Sequence, residues 1–203
     1  AYIERHDFDG LDVDLEGPAI QKDYGPFIAD LAAALKAKGK LLTAALSEGY
    51  GGNQVPAAAL ARFDFINIMA YDATGPWDPE RAGPHSSFVY AKRAITYWTG
   101  RGLPPKNLVL GLPFYGYGFG DSFRDYGYPY AELLTLYPEA YDKDKLGQTI
   151  WHNSSHTIRR KSQLALDQNL GGVMIWSLDQ DARGAKSLLK VIHQTLRPNL
   201  SER

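Results

Sequence analysis

The 203-residue chain carries 22 basic and 23 acidic residues, a formal net charge of −1, and is 44% hydrophobic. That balance suits one globular domain with a sizeable core and excludes collagen-like, disordered and disulfide-stapled classes. It offers no electrostatic footprint for nucleic acid or an anionic membrane; no apolar run nears the roughly 20 residues of a membrane span, and the lack of cysteine removes thiolate metal sites and a cysteine nucleophile.

In chain order, apolar strands alternate with amphipathic helices. Phe8–Leu15 reads as a strand. Tyr24–Lys38 reads as a helix with Tyr24, Phe27, Ile28, Leu31 and Leu35 on one face and Gly39 as its C-terminal cap. Leu41–Leu46 is a short strand, Pro56–Arg62 a short helix and Phe65–Tyr71 a strand. Ser87–Thr99 is a helix capped by Ser86 or Ser87, with Phe88, Ala91, Ile95 and Trp98 facing the core. Leu108–Phe114 is a strand, followed by a loop of Gly and Tyr and a short helix near Tyr130–Tyr137. Thr157–Gln168 is a helix and Gly172–Leu178 a strand. Ala185–Leu196 is a last helix, packing through Leu188, Leu189, Ile192 and Leu196. Parallel strands need crossover helices, so the repeated strand–helix unit predicts an α/β fold around a parallel sheet. The polar start, Ala1–Asp9, is unlike a signal peptide.

The segment Asp9-Gly10-Leu11-Asp12-Val13-Asp14-Leu15-Glu16 carries the most chemistry. Strand alternation puts Leu11, Val13 and Leu15 on one face and Asp12, Asp14 and Glu16 on the other, roughly 6.5 Å apart. Three carboxylates in a row repel one another, so at least one should hold its proton above the usual range, as a general acid requires. Two other readings stand beside this one. The row can be a solvated polar face. It can also be a calcium loop of Asp12, Asp14, Glu16, Gly17 and Asp23, although Glu and Asp then occupy ligand positions with the wrong side-chain length and no helix precedes the loop.

Asp9–Glu16 resembles the DGxDxDxE signature of family 18 glycoside hydrolases, the chitinases and their relatives. The resemblance continues in order along nearly the whole chain. Phe65–Asp72 is similar to the family's sixth-strand MxYD motif, Leu108–Gly116 to its seventh strand and Gly171–Asp181 to its eighth, which ends in a Trp. It implies a (β/α)8 TIM barrel. It also implies a retaining, substrate-assisted hydrolysis of β-1,4-linked N-acetylglucosamine, as in chitin, in which the substrate's acetamido oxygen is the nucleophile. On that resemblance Glu16 is the general acid/base. Asp14 faces the acetamido group, Asp12 lies behind it sharing a proton or hydrogen bond, and Tyr71 donates its hydroxyl to the acetamido oxygen. Met69, Asp72, Tyr115 and Trp176 contact the sugar, Trp176 lying under it. The position two beyond Tyr115, often Arg in the family, is Tyr117 here. No cofactor and no metal are implied, and a secreted or extracytoplasmic location is.

The family also contains endo-β-N-acetylglucosaminidases acting on N-glycan cores and chitin-binding lectins, the latter usually without the acidic residue that Glu16 supplies. A full barrel takes about 250 residues. The match begins at the family's fourth strand, so only the fourth to eighth strand–helix units are expected here. They would form one partial-barrel domain, 1–203, with no full α+β insertion. Such a chain would depend on an N-terminal barrel half in cis or on self-association. Trp98 fits a packed helix, whereas Trp77 and Trp151 fit loops over the cleft. His152 and His156 read as solvated loop residues, and Asn153 and Asn199 begin glycosylation patterns.

Overall fold

The computed structural model describes residues 2–197. Five strands build an all-parallel sheet in the order β1-β2-β3-β4-β9. These are β1 (Gly10–Val13), β2 (Leu41–Leu46), β3 (Phe65–Ile68), β4 (Leu108–Pro113) and β9 (Gly172–Trp176). A one-turn helix α1 (Tyr2–Arg5) precedes β1. The crossovers are α2 (Tyr24–Lys36), α3 (Ala57–Leu60) and α4 (Phe88–Gly100), then α6 (Ser155–Asp167) ahead of β9 and α7 (Leu188–Leu196) after it. Ser87 caps α4 by accepting from the Tyr90 N–H, and Ser187 caps α7 by accepting from the Lys190 N–H.

Period-two alternation decides what each strand buries. Val13, Leu42, Ala44, Leu46, Ile66, Ile68, Leu108, Leu110 and Leu112 point to the helices and form the main core with Ile28, Ala91, Ile95, Trp98 and Ile158. The other face of the sheet is lined by Asp12, Thr43, Asn67 and Gly111. Near its upper end Ala45, Met69, Tyr71 and Tyr115 form a small cluster of their own, against which Met174 packs. This second face is open toward β1, where Asp12 and Leu41 are exposed.

Between β4 and α6 the chain builds a second, antiparallel sheet in the order β6-β5-β8-β7. Its strands are β5 (Tyr115–Gly118), β6 (Tyr128–Pro129), β7 (Lys145–Leu146) and β8 (Ile150–Trp151), with helix α5 (Tyr130–Leu136) between β6 and β7. The sequence reading has a loop and one short helix here, because strands of two residues carry no periodicity. Three expected core positions are exposed instead: Phe27 of α2 at 47%, Leu189 of α7 at 42% and Leu15 at 36%. Leu15 is exposed because β1 ends at Val13, two residues before the predicted strand end.

Candidate active site

The chain leaves the sheet after Val13, so Asp14 and Glu16 stand on the loop at the C-terminal end of β1. Gly17 makes the turn that places them. Its φ is +50°, and a Cβ there would fall 2.3 Å from the Tyr50 ring. Only glycine fits that left-handed, crowded position. Tyr50 also accepts the Gly17 N–H at 3.2 Å, so the loop after β2 braces the loop after β1.

Asp12 remains within the strand. Thr43 Oγ1 and Asn67 Nδ2 both donate to its Oδ1, the latter at 3.1 Å. This polar row crosses β1, β2 and β3 and holds Asp12 sideways, so its hydrogen bonds go to the neighbouring strands rather than to Asp14. Asp14 feels it through charge. Partial burial raises the Asp14 carboxyl above its ordinary value, and the negative Asp12 adds to the rise. Glu16 is raised in the same direction, by burial first, then by Asp14 and Asp72.

Asp14, Glu16, Met69, Tyr71, Asp72 and Trp176 all line one cleft of about 960 Å³ at the C-terminal ends of the parallel strands. Loops after parallel strands are where α/β folds place their ligands. Tyr71 is buried, and among the described residues its hydroxyl has only the weak acceptor Met174 Sδ at 4.0 Å. Burial and the charges of Asp72, Asp14 and Glu16 push this phenol further above its ordinary value, so it remains a donor. Gly111 makes room for the ring: a Cβ there would lie 2.5 Å from the Ile68 carbonyl and 2.8 Å from Tyr71. Trp176, 53% exposed at the end of β9, presents its indole to the cleft.

Tyr115, expected along the cleft wall, lies beneath it instead. It is 6% exposed, and its hydroxyl donates to Asp72 Oδ1 at 2.5 Å. The residue that sequence reasoning misses is His85. It is fully buried, with Nε2 3.3 Å from the Tyr115 carbonyl and Nδ1 3.5 Å from the Asp72 N–H and 3.4 Å from Asp72 Oδ1. A carbonyl only accepts, so Nε2 donates to Tyr115, and Nδ1 packs against the Asp72 amide and carboxylate. Asp72 itself sits at φ +59°, an uncommon backbone that these partners hold in place. Nothing local in the sequence marks His85; its partners lie 13 and 30 residues away.

Trp77 does sit at the cleft, 60% exposed, and packs edge-on against Tyr117 with ring centroids 5.5 Å apart. Trp151 belongs to the small sheet, packed on Phe119 and under the Lys145 ammonium. Trp98 is fully buried. His152 is not solvated: it is 2% exposed, its Nε2 donates to the Lys143 carbonyl at 2.7 Å, and burial pulls it down to about 4, so it is neutral. His156 is exposed near Asp142. Asn153 is buried with both amide atoms bonded, which closes it to glycosylation, while Asn199 lies outside the described residues. Asp23, at the far end of the calcium reading, precedes α2, and among the described residues no three His, Asp or Glu side chains converge as a metal site.

The model of glycosyl hydrolases family 18 matches residues 1–181. The chain belongs to that family. Among solved structures, a family 18 chitinase from the chitin utilization locus of Flavobacterium johnsoniae superposes with TM-score 0.91 at 41% identity, over 97% of this chain and 63% of that one. A class V chitinase of Nicotiana tobaccum, solved as a Glu-to-Gln mutant in complex with NAG4, is 25% identical with TM-score 0.78, over 96% of this chain and 70% of that one. Among curated relatives, probable chitinase 10 of Drosophila melanogaster is 28% identical over 97% of this chain and 11% of its own length. Against the first three such relatives the chain spans 11%, 49% and 62% of their lengths. The parallel sheet with its sequential strand order is the TIM-barrel type of fold that this family shares.

Proposed function

We propose that this family 18 chain carries the catalytic cleft of a retaining hydrolase of β-1,4-linked N-acetylglucosamine polymers, with Glu16 as general acid and base. The observation that carries the reading is the raised Glu16 carboxyl, standing in one cleft with Asp14, Tyr71, Asp72 and Trp176. Trp176 offers a flat apolar surface to the C–H face of the bound sugar. Neutral Glu16 gives its proton to the glycosidic oxygen as the C1–O bond breaks. The acetamido oxygen attacks C1 from the opposite face and closes an oxazolinium ion. Asp14 accepts the acetamido N–H and balances the positive charge, while the Tyr71 hydroxyl donates to the acetamido oxygen. Glu16, now ionised, takes a proton from the incoming water, which opens the ring at C1. Two inversions leave the anomeric configuration retained.

The five parallel strands correspond in this reading to the fourth to eighth units of the barrel. Further strands would pair along the free edges of β1 and β9 and wall the open face where Asp12 and Leu41 are exposed. An extracytoplasmic location suits a polymeric substrate; among the described residues no helix is long and apolar enough to cross a membrane.

Glu16→Gln tests the assignment. The amide keeps the shape but delivers no proton, so turnover of chitin oligosaccharides should fall by about three orders of magnitude or more, with oligosaccharide binding retained by calorimetry. A thiazoline analogue of N-acetylglucosamine should inhibit, and cellulose fragments, which lack the acetamide, should not be cleaved. Cleavage of cellulose fragments at a comparable rate sinks the substrate-assisted route.

A further inference from the structure

Helix α6 begins Ser155-His156-Thr157-Ile158-Arg159-Arg160-Lys161, and the last of its three consecutive cations is completely buried. Lys161 Nζ lies 2.7 Å from the Ser86 carbonyl, 2.6 Å from Ser86 Oγ and 2.6 Å from Asn153 Oδ1. Each of these atoms can only accept from it. The Ser86 hydroxyl proton is committed to the Ala70 carbonyl at 2.6 Å, so its lone pair faces Nζ. Asn153 Nδ2 donates to the Ser86 carbonyl at 2.8 Å, which turns Oδ1 to the lysine. Three acceptors thus meet the three protons of an ammonium. Burial draws this lysine down to about 7, opposed by the charge of Asp144, whose carboxylate itself accepts from the Ser154 N–H and Thr157 Oγ1 at the start of α6.

This cation serves residues on the way to the cleft. Ala70 directly precedes Tyr71 and Asp72, and Ser86 directly follows His85. We propose that Lys161 is a positioning residue for Tyr71 and Asp72: its ammonium clamps Ser86, which holds the Ala70 carbonyl behind the end of β3 and the His85 ring against Asp72. The proposal rests on the cleft's assignment above, and it adds a helix that contributes nothing to the cleft wall. Removing the ammonium leaves Asn153 Oδ1 and the lone pair of Ser86 Oγ without their donor, while the Ser86 carbonyl keeps only the Asn153 amide. The Ser86 segment then shifts, and Asp72 loses the fixed partner that holds its uncommon backbone.

The test reads Asp72 through Glu16, because the Asp72 charge is one of the groups that raise the Glu16 carboxyl. The Glu16 side-chain carboxyl is titrated by ¹³C NMR in the protein and in Lys161→Met, alongside kcat and KM on a chitin oligosaccharide. With the variant folded by circular dichroism, the Glu16 midpoint should move to lower pH. kcat should fall about tenfold or more while KM changes less than about threefold. Asp72→Asn should move the midpoint the same way, and Lys161→Met should add no further shift in the Asp72→Asn background. Ser86→Ala keeps the carbonyl and removes the link to Ala70, so it should reproduce the shift more weakly, and it decides the question alone if Lys161→Met does not fold. A folded Lys161→Met or Ser86→Ala protein with Glu16 midpoint and kcat unchanged overturns the proposal. Absence of hydrolysis by the unaltered protein would instead defeat the assigned function, while the titration arm still reports on the clamp.

Discussion

At the scale of single residues, the cleft spends stability on chemistry. Glu16 and Asp14 are both held above their ordinary values, with burial as the first cause. A carboxyl raised by folding binds more protons in the native state than in the unfolded one, between its ordinary and its raised value. Stability therefore falls as pH climbs through that window and stays lower above it. Glu16→Gln removes the penalty. Melting at neutral pH should rise, by less than about 1 kcal/mol or about 4 °C because solvent reaches the group. The gain should vanish below the ordinary carboxylate range. In the proposed mechanism catalysis has the matching sign: the general acid role needs protonated Glu16, so the alkaline limb of kcat should track its raised pKa. In Tyr115→Phe, which leaves Asp72 without its 2.5 Å donor, kcat should drop about tenfold or more while the fold persists, checked by steady-state kinetics beside a melt.

Elements obey rules that lie mostly within reach of the sequence. The five strands of the parallel sheet are legible because alternation and apolar content are local properties, and the sequence narrows the N-cap of α4 to Ser86 or Ser87, of which Ser87 makes it. Ser87→Ala should cost about 1 kcal/mol, and Leu110→Ala, which empties a fully buried position between sheet and helices, about 2–5 kcal/mol in denaturant unfolding. The row of Asp12, Asp14 and Glu16 stands out in the sequence because no packing rule calls for it, but only Asp12 stays within the strand it was expected to share. What escapes is set by residues far along the chain. The end of β1 depends on Tyr50 against Gly17. The two buried histidines, His85 and His152, depend on carbonyls supplied by Tyr115 and Lys143. In the run Arg159-Arg160-Lys161 only the 3.6-residue turn, with its register against Ser86 and Asn153, decides which cation goes inside. Tyr115 misleads for the same reason: its motif position suggests the cleft wall, but the β5 strand turns it under Asp72.

For the molecule as a whole, the two faces of the parallel sheet are unequally covered. The outer face is packed under helices, with Ile66, Ile68, Leu108, Leu110 and Leu112 fully buried. On the inner face Asp12 is exposed, Leu41 is 45% exposed, and β9 has no fully buried residue. Strands β1 and β9 each have one partner in the sheet, so each presents an edge of unpaired backbone groups among the described residues. Local opening should therefore be cheapest at the two ends of the sheet and dearest in its middle. Hydrogen exchange of the 203-residue chain should be fast at β1 and β9 and slow at β2, β3 and β4. Edges of this kind also pair with each other, so the chain should sediment above its 22.5 kDa monomer mass at high concentration. In the proposed correspondence to the fourth to eighth barrel units, a polypeptide with the first three strand–helix units of a family 18 barrel, in cis or as a second chain, should slow exchange at β1 and β9 together and give a single sedimenting species. Equal protection across all five strands in a strictly monomeric chain would show that the inner face needs no further wall.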